Sequence, residues 1–272
     1  MGRLIIYGIL IIATAVCIFP FLWMVSTAFK PLNEVYMIPP SWIPYKPTLM
    51  NFPEGWSYAD FNTYTKNTLF VALICTVGTV VSAAFVAYGF SRFKARFSGL
   101  FMTVLLGTMM LPSQVTLIPQ YLLYNRLRLL DSYWPLIIPA WVGGGAFNIF
   151  LYVQFFKTLP IELDEAAYID GANSFQTLIR VLLPSVKPVV LAVMVMSLVY
   201  NWNDFFTPLI YLSSDSKFTI AIGLRFFQGV YGNMKMGLMM AVTTVTLIPV
   251  LITFFVCQRY FIQGIKMSGI KA

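Results

Sequence analysis

Ten carboxylates, eighteen lysines and arginines, and no histidine carry the charge of this 272-residue chain. The missing histidine removes His-dependent nucleophilic catalysis, HExxH metal chemistry and haem ligation by imidazole together. Cys17, Cys75 and Cys257 each lie inside an apolar run without metal-ligand spacing, so they read as small packing residues, and neither a disulfide framework nor a zinc site is expected. Binding chemistry remains, and it gathers in two places. The first is Tyr200-Asn201-Trp202-Asn203-Asp204, followed by Thr207 and Pro208. Amides and a carboxylate beside aromatic rings suit a hydroxyl-rich solute, which hydrogen-bonds at its edges and packs an apolar face on a ring. Burying Asp204 unpaired would cost at least about a few kcal/mol; it therefore lines a path or is capped at the end of its helix, and the residues alone leave both open. Gln114 and Asn148 are secondary candidates, since single amides also join helices to one another. The second place is Glu165 to Pro184, EAAYIDGANSFQTLIRVLLP, a polar, acid-bearing island between long apolar runs.

The elements around these residues must be membrane helices. The chain is 59% hydrophobic and 10% charged with mean hydropathy +0.78, against about 25% charged residues in ordinary soluble domains. A formal charge of +8 does not indicate nucleic acid, because the basic residues are scattered singly between apolar runs. At about 1.5 Å per residue, roughly 20 apolar residues cross a hydrocarbon core of about 30 Å. Apolar runs place spans at about 4–29, 67–90, 99–119, 134–156, 186–212 and 236–261. The predicted fold is all-α: one polytopic membrane domain of six transmembrane helices, with a loop at 157–185 between spans four and five. The first run has no small-residue exit site of the signal-peptide kind, so an uncleaved span is expected.

Between the spans, residues 30–60 carry prolines at 31, 39, 40, 44, 47 and 53 and read as an extended external loop at the interface. Leu111-Pro112 interrupts the third run, so the face bearing Ser113 and Gln114 is expected to turn inward. Residues 121–133 read as a short amphipathic external segment, and residues 213–233 as a polar external loop. Gly143-Gly144-Gly145 in the fourth run weakens a helix but lets a neighbour approach closely. Arg92, Lys94 and Arg96 crowd one short loop, the strongest cytoplasmic marker. Six spans then put both termini and the 157–185 loop in the cytoplasm, with ten basic residues inside against eight outside, the latter largely offset by Glu34, Glu54, Asp60, Asp131 and Asp215.

Within the island, Pro160 suits a first helical turn, Glu162, Asp164 and Glu165 complement its positive end, and Gly171 terminates it. A first helix is expected over about 161–170. Asn173 and Ser174 cap a second, which carries Leu178, Val181 and Leu182 and stops before Pro184. Leu163, Ala166, Ala167 and Asp170 fall on one side of the first helix. The two alanines leave a nearly bare face that another protein's groove can close around; alanine is also simply a good helix former.

The spacing of Glu165-Ala166-Ala167, Gly171 and Val181-Leu182-Leu183-Pro184 resembles the EAA signature of bacterial ABC importer permeases, with valine where isoleucine is commoner. MMLPSQVTLIPQY at 109–121, FFKTLPIELDEAAYIDGANS at 155–174, NWNDFFTPLI at 201–210 and QRYFIQGIKMSGIKA at 258–272 make the chain similar to the shorter permease subunit of maltose and glycerol-3-phosphate-type carbohydrate importers. The resemblance implies that Glu165, Ala166, Ala167, Asp170, Gly171, Leu183 and Pro184 belong to a coupling segment docking on a cytoplasmic ATPase. It also implies a second permease, two ATPase subunits that bind ATP and Mg, an extracytoplasmic solute-binding protein, and a bacterial plasma membrane. The tail, with Gly264, Gly269 and Lys271, resembles the segment near the ATPase interface. The absence of GxxxxGK[ST] agrees with this division of labour: the chain itself is expected to bind no cofactor and not to be an enzyme. An ion-coupled carrier or channel is the alternative from another class, but it would usually show charges in several spans or an inverted repeat, and the sequence has one clear intramembrane acid and no repeat. A non-sugar solute is the alternative within the ABC class.

Overall fold

The computed structural model describes residues 2–229 and 234–268, and every regular element among them is helical. In chain order these are α1 (Gly2–Ala28), α2 (Leu32–Val35), α3 (Asn51–Ser57), α4 (Phe61–Arg92), α5 (Ser98–Thr108), α6 (Ser113–Arg126), α7 (Trp134–Trp141), α8 (Ala146–Thr158) and α9 (Glu162–Ile169). There follow α10 (Ser174–Ser185), α11 (Lys187–Asn203), α12 (Phe206–Tyr211), α13 (Ile220–Arg225) and α14 (Met236–Ser268). Among the described residues, four stretches are each long and apolar enough to cross a bilayer: Leu4–Ala28, Phe61–Arg92, Trp134–Thr158 and Met236–Gln258. α10 and α11 meet that measure only together, across an 87° bend.

Several boundaries differ from the sequence expectations. The expected span at 99–119 is two helices, parted at Met109–Pro112 because Pro112 has no N–H to continue the ladder. The second of them runs on to Arg126, through residues expected to lie in an external segment. The span at 186–212 breaks after Asn203, and α12 restarts at Phe206. The polar loop expected at 213–233 contains α13. Two compact units divide the chain, Met1–Thr65 with Thr219–Pro249, and Lys66–Phe218 with Val250–Ala272.

In the first unit the proline-rich stretch is folded where an extended loop was expected. The prolines interrupt regular backbone ladders here, and side chains do much of the tying. The Glu34 carboxylate accepts the Tyr45 and Lys46 N–H groups, both at 3.0 Å. The fully buried Lys30 donates its Nζ to the Ser41 carbonyl at 2.6 Å and lies 4.1 Å from the Trp23 ring centroid. Burial pushes the Lys30 ammonium below its usual pKa, with the charge of Glu34 opposing that shift. Asn51 Nδ2 donates to the Ala28 and Lys30 carbonyls at 2.8 Å each, tying α3 to the end of α1.

In the second unit α4 interlocks with α7 and α8. A Cβ on Gly78 would lie 2.6 Å from the Trp141 ring, and one on Gly144 2.6 Å from the Thr79 carbonyl oxygen. Gly143, Gly144 and Gly145 all have positive φ, at 95°, 67° and 87°. The triplet therefore both breaks the helix and brings the backbones together, and Ser82 Oγ closes the contact on the Ala140 carbonyl at 2.8 Å. Below it, Ala83, Ala84 and Ala87 of α4, Tyr152, Val153 and Phe156 of α8, and Leu178, Leu182, Val189 and Val193 of α10 and α11 form one buried core.

Candidate functional site

The Glu165 island folds as a capped pair of short helices. Glu162, Asp164 and Glu165 occupy the first turn of α9, where the helix dipole favours negative charge. Gly171 ends it in the left-handed region at φ +83°; the Gly171 N–H bonds the Tyr168 carbonyl at 3.0 Å and the Ala172 N–H bonds the Ala167 carbonyl at 2.9 Å, a Schellman closure. Nothing lies within 4 Å of a Cβ placed on Gly171, so the turn needs glycine for its φ and not for space. Asn173 opens α10 with a reciprocal capping box: its side chain accepts the Gln176 N–H at 2.9 Å, and its own N–H donates to Gln176 Oε1 at 3.0 Å.

The second helix does not stop before Pro184. Residues 178–182 form a π-turn, with the Leu183 N–H reaching the Leu178 carbonyl, and the helix continues to Ser185. The wider turn stands immediately before the proline whose ring would crowd the carbonyl of residue 180 in a straight α-helix. Leu183 is half-buried and Pro184 exposed.

Exposure also corrects the expected open face. Ala167 is 7% exposed and packs inward, whereas Tyr168 and Ile169 are 80% and 84% exposed. Glu165, Ala166, Asp170 and Gly171 are open as well. Helical spacing groups residues by face but does not say which face the chain uses for itself.

Three contacts from α4 hold this segment, and none was visible in the sequence. Phe85 stacks on Phe175 with centroids 5.8 Å apart. Tyr88 joins the buried core around Leu178 and Leu182. Arg92, the last residue of α4, places Nε 2.9 Å from Asp164 Oδ2, with side chains 8% and 16% exposed, while its Nη2 donates to the Leu159 carbonyl at 3.2 Å. The only sequence signal was a basic cluster at 92–96, which cannot name a partner in another loop.

The polar candidates of the spans sit at the helix breaks. Asp204 lies between α11 and α12, its Oδ1 accepting the Thr207 N–H at 3.1 Å, so it caps the restarted helix. Asn201 Nδ2 donates to the Ser197 carbonyl at 2.7 Å and Asn203 Nδ2 to the Val199 carbonyl at 2.8 Å. Tyr200 is 69% exposed while Trp202 is buried, so that one turn presents Tyr200 and Asn203 outward and turns Trp202 in. Asn148 stands just after the glycine triplet, with Nδ2 donating to the Gly144 carbonyl at 2.8 Å. Gln114 is exposed in the first turn of α6, just after the Pro112 break. Tyr200 to Asp204 are thus one cluster, and Gln114 and Asn148 occupy separate helices. Gly269 and Lys271 lie outside the described residues, and Gly264 falls within α14. No group of three or more Cys, Asp or Glu side chains that could hold a metal is found among the described residues.

A family model described as "Binding-protein-dependent transport system inner membrane component" matches residues 79–267. A probable ABC transporter permease protein of Bacillus subtilis, YurM, is 33% identical over 257 residues, covering 93% of this chain and 83% of that protein. The trehalose/maltose transport system permease protein MalG of Thermococcus litoralis is 29% identical, covering 98% of this chain and 96% of that protein. Among solved structures, a chain of a bacterial ABC transporter involved in import of the acidic polysaccharide alginate matches with a TM-score of 0.84 at 23% identity, covering 96% of both chains.

Proposed function

The chain belongs to the family of binding-protein-dependent transport system inner membrane components, and on that premise we propose that it is one permease subunit of an ATP-driven importer for a sugar, an oligosaccharide or a related polyol. The observation that carries the reading is the family match over most of the chain, joined by relatives whose names specify carbohydrate transport. The remaining assignments rest on that membership and on the chemistry of the residues. Six crossings are counted with α5 and α6 as one broken span and α11 and α12 as another, in a multi-pass arrangement in the bacterial plasma membrane with both termini in the cytoplasm. A second permease completes the pathway, two ATPase subunits bind ATP and Mg, and an extracytoplasmic binding protein delivers solute.

In this reading α9 and α10 dock on an ATPase subunit, with Glu165, Ala166, Asp170 and Gly171 around an apolar tip of Tyr168 and Ile169; Ala167 supports the segment from within, and the half-buried Leu183 and exposed Pro184 close its far end. Solute passes the helix breaks. Discontinuous helices are where membrane proteins can turn backbone and polar side chains toward a cavity without exposing them to lipid. Tyr200, Asn201, Asn203 and Asp204 line the path at the α11 break, backed by Trp202, with Gln114 and Asn148 at the breaks of the other two spans.

The test is reconstitution of this chain with its neighbouring permease, ATPase and binding-protein subunits in liposomes, followed by uptake over a panel of sugars. ATP-dependent accumulation that requires the binding protein is the expected result. Uptake that persists without any ATPase would remove the assignment.

A further inference from the structure

We propose that Arg92 and Asp164 are a positioning pair that makes the cytoplasmic end of α4 the strut through which the docking segment moves the membrane helices; this rests on the importer reading above. A helix terminus and a loop seldom share a nearly buried ion pair by accident, because removing two charges from water is costly unless the geometry compensates. Here the contact of Arg92 Nε with Asp164 Oδ2 is a close charge contact not aligned as a hydrogen bond, and the compensation comes from a helix end on each side. Arg92 Nη2 answers the Leu159 carbonyl, which is the C-cap of α8 and would otherwise be an orphan acceptor at a negative helix end. Asp164 lies in the first turn of α9, at a positive helix end. One guanidinium therefore fixes the corner between α8 and α9 and fastens it to α4. A planar fork with several donors can hold two acceptors in different directions, which a lysine ammonium on its flexible stem does with less angular control.

The rest of the contact follows the same line. One and two turns before Arg92, Tyr88 lies in the core shared with α10 and Phe85 stacks on Phe175. The apolar contacts set how close the segment lies to α4. They are free to slide, whereas the Arg92 guanidinium beside Asp164 is held in one register by its bond to the Leu159 carbonyl. A push on the exposed tip at Tyr168 and Ile169 therefore reaches α4 without being absorbed as rotation of α9.

The experiment uses the complete transporter in liposomes, with three forms of this chain: wild type, Arg92→Ala, and the double change Arg92→Met with Asp164→Leu, which removes both charges and leaves no unpaired one. Solute moved per ATP hydrolysed is measured together with ATPase co-purification and amide exchange of residues 162–169. Both altered forms are expected to retain the ATPase subunits and hydrolyse ATP while moving about tenfold less solute per ATP, within the ordinary range of coupling between sites, and the double form is expected to exchange faster in α9. Wild-type yield per ATP in the double form overturns the proposal, as does unchanged exchange in α9. Failure of both altered forms to assemble also overturns it, since the pair is then only a structural clamp. A wild-type complex that moves no sugar with ATP refutes the importer reading instead, and the exchange measurement still judges the pair.

Discussion

Two residues with similar backbone angles separate conformational need from spatial need. Gly144 and Gly171 both have positive φ, at 67° and 83°. A Cβ on Gly144 would also strike the Thr79 carbonyl and Ser82 Oγ, at 2.6 and 2.8 Å, while the same atom on Gly171 meets open space. Gly171→Ala is expected to cost about 1 kcal/mol for the left-handed conformation alone. Gly144→Ala adds overpacking of about 1–3 kcal/mol, so thermal unfolding in detergent should show a clearly larger loss for Gly144. Asp131 gives a pH-linked counterpart. Its carboxylate accepts the Ser213 and Ser214 N–H groups at 3.0 and 2.9 Å, the Ser214 hydroxyl and Lys217 Nζ at 2.9 Å. Together these hold its pKa well below the usual carboxylate range, hydrogen bonds from Ser214 and Lys217 contributing most. A depressed folded-state pKa contributes stability that is complete above the unfolded value of about 3.9 and is lost as pH falls through the folded one. Asp131→Asn should therefore lower stability at pH 7 by about 1–3 kcal/mol. Unfolding curves of the two forms should converge in strong acid.

At the scale of elements, the helix pair at 162–185 was legible where local rules govern it. The acids of the first turn, the glycine stop and the Asn173 cap all follow from side chains within a few residues of one another. What was not legible depends on distant chain. The inward turn of Ala167 is decided by the neighbouring core, and the Arg92 contact with Leu159 joins residues 67 positions apart. The continuation past Pro184 needs a π-turn that no periodicity announces. The spans show the same division: their apolar runs and their breakers could be read, but whether Pro112 merely bends a helix or divides it depends on the surrounding packing. Since Tyr168 and Ile169, and not Ala167, face outward, Ile169→Glu is expected to reduce ATPase co-purification sharply while leaving the unfolding temperature of the isolated permease unchanged. Ala167→Asp should do the opposite first, lowering stability by burying an unpaired charge. A loss of ATPase binding in Ala167→Asp without a loss of stability would contradict the orientation given to α9.

Over the whole molecule, the polytopic all-helical class was legible from composition, because few other architectures satisfy backbone groups in hydrocarbon. The two compact units were not, since they combine segments far apart in the chain and share two long helices. One stretch stands apart from both patterns. The Leu4–Ala28 segment is the most apolar of the four stretches long enough to cross a bilayer, yet most of its length is exposed among the described residues. Its environment must come from lipid or from another subunit. That gives it an unusual place in biogenesis. Apart from its C-terminal turns, which Trp42 and Asn51 hold, this helix gains little from tertiary structure, so it can partition into the bilayer while the remainder is still being translated, and tether the nascent chain there. A fusion of residues 1–30 to a reporter should integrate into membranes as completely as the full-length chain does.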